Sequence, residues 1–276
     1  MTQKRTVFFV SDRTAITAVT LGESLLTQFD NINFEQATLP FIDTTAKAKK
    51  AVREINRAAV ADGQRPIIFS TLIDPEIRRI VFDCAGLVLD FFETFISRLE
   101  KELSTSSAKI MGRYHAMTNT GTYDVRINAV NYALANDDGI SLKNFNQADL
   151  ILIGVSRTGK TPTCLYLALQ FGIFAANYPL TEELFSKGYS RLPESLFPFR
   201  KKLFGLNINP ERLQAIREKR RPDSNYSSFE KCRMEVAMAK SIFISERIPY
   251  LNVTAMSVEE IATKILHEMH LARKYT

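Results

Sequence analysis

Short apolar runs alternate with amphipathic stretches through the first half of the chain. Apolar runs with the length of buried strands occupy residues 7–10, 34–39 and 66–70. Residues 45–61 place alanine, valine and isoleucine at helical spacing, with lysine and arginine between them, which is typical of an amphipathic helix. The stretch from Thr14 to Gln28 is also amphipathic, and Asp74-Pro75 has the cap and first-turn residues of a long helix. Strands separated by helices predict a parallel sheet covered by helices.

The alternation returns in the second half of the chain after a polar interruption. Residues 123–135 have helical spacing, and the turn at 136–139 ends that helix. We place the domain boundary just beyond this turn, with an N-terminal domain over 1–145 and a second domain over 146–276. Predicted strands occupy 150–153, 173–176 and 249–253, and predicted helices occupy 160–171, 210–220 and 233–242. Ser257 and Glu260 form a capping box that opens the last helix.

The composition is that of a globular protein of about two domains. A chain of 276 residues is longer than one hydrophobic core usually supports. Its residues are 45% hydrophobic and 24% charged, a composition that excludes a disordered chain. No apolar run approaches the ~20 residues of a membrane helix, and the first run ends too early for a secretory signal. Cys84, Cys164 and Cys232 have neither metal-binding nor disulfide spacing. We therefore expect a cytoplasmic protein with reduced thiols and no membrane partner.

The chain is mildly basic, with a formal net charge of +6. Such an excess suits a protein that handles phosphate or docks an acidic partner. It is also compatible with nucleic-acid binding, but the interleaved aromatic and basic residues of a stacking platform are missing. We therefore predict that nucleic acid is not the partner.

One segment fits the phosphate-binding (P-loop) pattern G-x-x-x-x-G-K-[ST]. Its residues are the predicted nucleotide-binding residues Gly154, Val155, Ser156, Arg157, Thr158, Gly159, Lys160 and Thr161. An apolar strand leads into the segment and a helix leads out, which is the context that the pattern requires. A glycine-rich turn with an exposed lysine is the alternative interpretation.

The chemistry of this segment follows from its residue types. Glycines allow successive backbone N–H groups to point at one anion, and the helix N-terminus adds partial positive charge. We predict that Lys160 neutralises phosphate oxygens and that the Thr161 hydroxyl holds Mg²⁺. The fold class is therefore α/β, with an N-terminal parallel-sheet domain followed by a P-loop kinase-like domain. No metal-holding carboxylate is evident downstream, since the strand at 173–176 is followed by Asn177, and this absence argues against a small-molecule kinase.

Further polar residues are candidates for the reaction. Asp137 and Asp138 are candidates for a general base; we take Asp138 as the catalytic candidate, and for Asp137 we favour a helix-ending turn residue. Ser11, Asp12 and Thr14 follow the first strand, and we favour helix capping over an anion site for them.

Basic residues near the end of the helix over 210–220 have two interpretations. Arg217, Arg220 and Arg221 complement the helix dipole, or they dock a phosphorylated partner. Arg157 is a further possible phosphate contact, and His115 a further catalytic candidate, within an irregular segment.

The whole chain resembles the bifunctional regulatory proteins of phosphoenolpyruvate synthase and of pyruvate, phosphate dikinase. The matching segments run from the first residues to the last: SD and TAIT at 11–17, ANDDG at 135–139, GVSRTGKTPT at 154–163, FGI and AANYP at 171–179, KLFGL and PERL at 202–213, and SVEEIATK at 257–264. Segments 136–139 and 171–179 are closest to the phosphoenolpyruvate synthase branch.

This resemblance implies an enzyme with two opposed activities. The kinase uses ADP to phosphorylate a threonine of the target dikinase and switch it off. The reverse activity uses inorganic phosphate to remove that group and releases pyrophosphate. A loop built around a β-phosphate suits ADP, and inorganic phosphate could occupy the same place. Phosphoenolpyruvate synthase is the expected partner, a homodimer is one alternative for the oligomeric state, and an ATP-dependent small-molecule kinase is the alternative function.

Overall fold

The computed structural model describes residues 3–108, 120–137, 142–181, 191–222 and 224–274. The chain divides into two compact units, Met1–Ala116 and Met117–Thr276. This division falls earlier than the predicted boundary at 145/146, because the helix over Thr120–Ala135 packs against the helix over Lys160–Phe171 of the second unit. No helix of the described residues is both long and apolar enough to cross a membrane.

The first unit is a four-stranded parallel sheet with the strand order β2-β1-β3-β4. Its strands are β1 (Gln3–Val10), β2 (Ile32–Leu39), β3 (Ile67–Ser70) and β4 (Leu87–Asp90). Its helices are α1 (Ile16–Leu26), α2 (Thr45–Asp62), α3 (Pro75–Phe82) and α4 (Phe91–Leu103). The sheet is covered on both faces, because successive side chains of a strand point to opposite sides: Phe8 and Val10 pack with Ile55 of α2, whereas Phe9 packs with Ala18 of α1.

The predicted long helix after Asp74 is wrong, because the segment forms two helices separated by a strand. Asp74 caps α3 by accepting hydrogen bonds from the N–H groups of Glu76 and Ile77 at 2.9 and 3.0 Å. The helix ends at Phe82, and β4 then pairs with β3. Asp90 ends this strand and caps α4 through the Glu93 N–H at 2.9 Å. The apolar run was compatible with either structure, and pairing with β3 decides between them.

The second unit repeats the same winding, with the strand order β6-β5-β7-β8 and all strands parallel. Its strands are β5 (Leu150–Gly154), β6 (Ala175–Pro179), β7 (Leu203–Asn207) and β8 (Tyr250–Asn252). Its helices are α5 (Thr120–Ala135), α6 (Lys160–Phe171), α7 (Pro210–Glu218), α8 (Phe229–Ser245) and α9 (Val258–Glu268). Short 3₁₀ helices span Leu142–Gln147, Glu194–Lys202 and Asn225–Ser227.

Strand β5 occupies the centre of the second unit. All five of its residues are buried, and β6 and β7 flank it on opposite sides. The connection after β5 runs to β6 and the connection after β7 runs to β8, in the opposite direction across the sheet. This reversal opens a crevice at the carboxyl ends of β5 and β7, where parallel α/β sheets bind ligands. The segment over residues 154–161 begins at the carboxyl end of β5.

The helix starts predicted from capping residues are partly confirmed. Ser257 and Glu260 form the capping box of α9, as the sequence predicts. The capping role predicted for Ser11, Asp12 and Thr14 is wrong, because α1 begins after Ala15, which is left-handed and gives no side-chain cap. Ser11 and Asp12 are instead buried at the carboxyl end of β1.

Candidate active site

The loop over residues 154–161 connects β5 to α6 and contains the tight backbone geometry that its glycines allow. A Cβ atom on Gly154 would lie 2.4 Å from the backbone oxygen of Leu206 in β7, so the loop could not approach β7 with any larger residue. Gly159 has φ +84°, and Arg157 has φ +78°, a conformation that costs non-glycine residues free energy. Positive φ values of this kind are typical of loops whose successive N–H groups converge on an anion.

Hydrogen bonds within the loop hold it in this shape. The Val155 carbonyl accepts a hydrogen bond from the Lys160 ammonium at 2.9 Å and another from the Thr158 hydroxyl at 3.0 Å. Lys160 is only 5% exposed, so the alternative of an exposed lysine on a plain turn is wrong. The positive charge is thus held beneath the loop, at the N-terminus of α6, where an anion is favoured by the helix dipole as well.

A pocket of about 290 Å³ opens over the loop. Its lining combines loop residues, the first turn of α6 and the middle of β6: Ser156, Arg157, Gly159, Lys160, Thr161, Pro162 and Asn177. Five of the eight predicted nucleotide-binding residues therefore line the pocket, Lys160 and Thr161 among them, whereas Gly154, Val155 and Thr158 do not. Asp138 and His115 lie outside the described residues.

A carboxylate lies beside Thr161, a contact that the sequence did not predict. The Thr161 hydroxyl donates a hydrogen bond to Asp137 Oδ1 at 2.9 Å, and Asn177 Nδ2 donates to the same oxygen at 2.5 Å. Asp137 follows α5, which packs against α6. The expectation of no metal-holding carboxylate was confined to the residues downstream of the loop and therefore did not consider this upstream residue. Asp137 lies in the turn that ends α5, as expected, and in addition accepts a hydrogen bond from Thr161.

Backbone hydrogen bonding fixes this cluster. The Asn177 N–H donates to the carbonyl of Asn136 at 3.0 Å, which ties the end of α5 to β6. Asn177 is 1% exposed and Asn136 is fully buried. No local sequence pattern predicts a hydrogen bond between segments that are so far apart in the chain. The sequence did show that an amide side chain, Asn177, directly follows a predicted apolar strand.

The donor set is compatible with magnesium. Mg²⁺ prefers carboxylate, hydroxyl and water oxygens, usually with one or two protein ligands and substrate phosphate. Asp137 and Thr161 supply a carboxylate and a hydroxyl that lie side by side in space, so these two residues fit the metal. No group of three histidine, cysteine or acidic side chains in the described part of the chain is arranged as a metal site.

Arg217 lies in the last turn of α7, where the dipole interpretation placed it, but it is not on an exposed surface, as the docking interpretation requires. It is 1% exposed and donates to Glu235 at 2.6 Å, whereas Arg220 and Arg221 are exposed. Burial with a carboxylate partner excludes Arg217 from direct docking of a phosphorylated protein. The arginine spacing gave no signal for this burial.

Fold and site together define a two-unit parallel α/β protein whose second unit carries a glycine-rich loop at the carboxyl end of a central strand. The profile of a family described as Kinase/pyrophosphorylase matches residues 7–266 of the chain. Because that match covers nearly the whole chain, the protein belongs to the Kinase/pyrophosphorylase family.

Individual relatives agree with this assignment over their full lengths. A protein of Alkalilimnicola ehrlichii is 53% identical over 98% of both chains. A protein of Pseudomonas aeruginosa strain PAO1 is 52% identical over the whole of both chains, and one of Halorhodospira halophila is 51% identical over 99% of this chain and all of its own. Each bears the name "Putative phosphoenolpyruvate synthase regulatory protein".

Proposed function

We propose that this protein reversibly phosphorylates a threonine of phosphoenolpyruvate synthase, with ADP as the phosphoryl donor. The observation that carries the proposal is the Asp137–Thr161 pair beside a buried lysine in a glycine-rich loop. Family membership and the names of the relatives support phosphoryl transfer and this target.

In the inactivating direction, the β-phosphoryl group of ADP moves to the threonine oxygen and AMP leaves. The loop N–H groups and Lys160 would bind the β-phosphate and stabilise the charge on its equatorial oxygens. We propose that Asp138 accepts the threonine proton. In the activating direction, inorganic phosphate attacks the phosphothreonine, pyrophosphate leaves, and the threonine oxygen regains its proton.

Thr161 and Asp137 are the residues that would hold Mg²⁺. The metal, when bound, would neutralise phosphate charge at the mouth of the loop. Asn177 bonds to both residues, at 2.5 Å to Asp137 Oδ1 and 3.1 Å to the Thr161 hydroxyl, and thereby orients them. Orientation by a buried amide reduces the reorganisation needed when substrate binds.

An ATP-dependent small-molecule kinase is the second candidate function. The argument against it depended on a missing carboxylate, and Asp137 supplies one. The choice between ADP and ATP must therefore be made by experiment.

The deciding assay incubates the protein and purified phosphoenolpyruvate synthase with either ADP or ATP. We expect phosphothreonine on the synthase, detected by mass spectrometry, with ADP and with release of AMP. Addition of phosphate without nucleotide should then remove the group and release pyrophosphate. Phosphorylation with ATP alone, or of a small molecule but not the synthase, would contradict the proposal.

A further inference from the structure

A buried arginine contacts the loop from the side of α7. Arg217 donates through Nη2 to the Ser156 carbonyl at 3.3 Å and to Glu235 at 2.6 Å, and through Nη1 to the Tyr226 carbonyl at 3.2 Å. Its guanidinium lies 4.3 Å from the centroid of the Tyr226 ring. The Tyr226 hydroxyl in turn hydrogen-bonds the Ser156 hydroxyl at 3.0 Å. Ser156 is therefore held by both its backbone and its side chain.

The bond to the Ser156 carbonyl also fixes the peptide that follows it. A trans peptide is planar, so its N–H points opposite to its C=O. The carbonyl between Ser156 and Arg157 points to Arg217, and the Arg157 N–H must therefore point away from it. Arg157 has φ +78°, a left-handed conformation that is strained for a non-glycine residue. An external hydrogen bond is a direct way to keep this peptide from rotating.

Stability alone is a poor explanation for this buried ion pair. Arg217 and Glu235 have side-chain exposures of 1% and 7%, and the loss of hydration in such a pair offsets much of the attraction between its charges. Apolar residues of similar volume often give equal or greater stability. A planar guanidinium, however, can bond a carboxylate and two carbonyl groups in fixed directions, which neither an apolar side chain nor lysine can do.

We propose that Arg217 is a positioning residue that holds the Ser156–Arg157 peptide in the orientation required for binding the phosphate of ADP, with Glu235 and Tyr226 as its supports. This inference rests on the proposed function, because it assumes that the loop over residues 154–161 binds a phosphate. Arg217 is buried behind the loop and does not itself bind the nucleotide. Its effect passes through the Ser156 carbonyl.

The test compares the ADP affinity of folded variants of the full chain by isothermal titration calorimetry. Arg217→Met combined with Glu235→Met removes both buried charges at similar volume, so that no charge is left unpaired. We expect this variant to unfold cooperatively and to bind ADP about 10-fold more weakly, the scale of loss when supports of a binding group are removed. The KM for ADP should rise more than kcat falls, because the peptide binds phosphate in the ground and transition states alike.

Two further variants make the result specific. Tyr226→Phe removes only the hydroxyl that bonds Ser156 and keeps the ring beneath the guanidinium, so we expect a smaller loss of affinity with little change in stability. Arg200→Met is the control, because Arg200 forms an ion pair with Glu246 in the same unit and its hydrogen bonds go to that residue, away from the loop. Its ADP affinity should match that of the unmodified protein.

The outcomes separate the two proposals. A folded double variant with unchanged ADP affinity overturns the positioning role. If the double variant does not fold, Tyr226→Phe and Arg217→Lys decide, and unchanged affinity in both overturns it. Weaker ADP binding in these variants, with no phosphorylation of the synthase by the unmodified protein, supports the positioning role and contradicts the proposed function. Failure of the unmodified protein to bind ADP or pyrophosphate overturns both.

Discussion

Asp137 and Arg217 show how much of a residue's role depends on what packs beside it. In the sequence, Asp137 is one of several polar residues that end a helix, and Arg217 is one of three arginines near the end of another. In the structure, the first hydrogen-bonds Thr161 across 24 positions of the chain, and the second is buried against the loop. Neither contact has a local signal, because each is created by packing between helices and strands that are distant in sequence. Lys160 and Thr161, in contrast, were predictable because the loop pattern itself fixes their chemistry.

Cys164 provides a prediction at this scale. Its side chain is 2% exposed, and its Sγ lies 3.5 Å from the Ala176 carbonyl. Burial raises the pKa of the thiol far above its usual range, so the residue remains a neutral packing group at physiological pH. Cys164→Ser should lower the free energy of unfolding by about 1 kcal/mol and leave ADP affinity unchanged, as measured by urea unfolding and calorimetry.

The half-buried Cys84 of the first unit supplies the matched control. Cys84→Ser should cost less stability, because its side chain loses less apolar packing. A folded Cys164→Ser protein that has lost all activity would show that the thiol takes part in the chemistry.

At the scale of elements, most helices and strands were predictable from apolar periodicity and end signals. Helix α6 begins at Lys160 and ends at Phe171, as its spacing predicts. The errors occur where a short apolar run is compatible with two structures. Strand β4 was missed within the predicted long helix, β7 was not predicted as a strand, and β6 spans Ala175–Pro179, beginning two residues later than predicted. Pairing with a neighbouring strand decides such cases, and a single sequence does not show which strand is the neighbour.

Two serines of the second unit occupy the N-cap positions of helices, and they test how much the cap side chain contributes to stability. Ser257 accepts a hydrogen bond from the Glu260 N–H at 3.2 Å and belongs to a capping box. Ser228 occupies the corresponding position of α8 but makes no side-chain cap bond. Ser257→Ala should therefore lower the free energy of unfolding by about 1 kcal/mol, whereas Ser228→Ala should have little effect. Equal losses in urea unfolding would show that the two serines act through another property.

At the scale of the molecule, the class of fold followed from the alternation of strands and helices, and the two parallel sheets confirm it. The two units have the same strand order although the sequence shows no internal repeat, because right-handed connections and a switch in winding direction restrict parallel sheets to few arrangements. The position of the site followed from the same rule, since the loop leaves the central strand at its carboxyl end. What the sequence could not show was the division at 116/117, because it depends on the packing of α5 against α6.

The last prediction concerns whether one site serves both proposed directions. If the loop binds the β-phosphate of ADP and, in the reverse reaction, inorganic phosphate, Lys160→Ala should weaken both activities together. Both transition states would place charge on the same equatorial oxygens, and loss of one preorganised group of this kind costs ~10²–10³ in rate. Lys201→Ala, the same substitution at an exposed position of the same unit, is the control and should leave both rates intact.

The measurement is the initial rate of each direction on one preparation of folded variant, with thermal melts to confirm folding. Parallel losses support a single phosphate site. Loss of kinase activity with normal release of pyrophosphate from the phosphorylated target would instead require a second site. Buried Ser11 and Asp12, at the carboxyl end of β1 in the first unit, would then be the first place to search, because that sheet has its own switch in winding direction between β1 and β3.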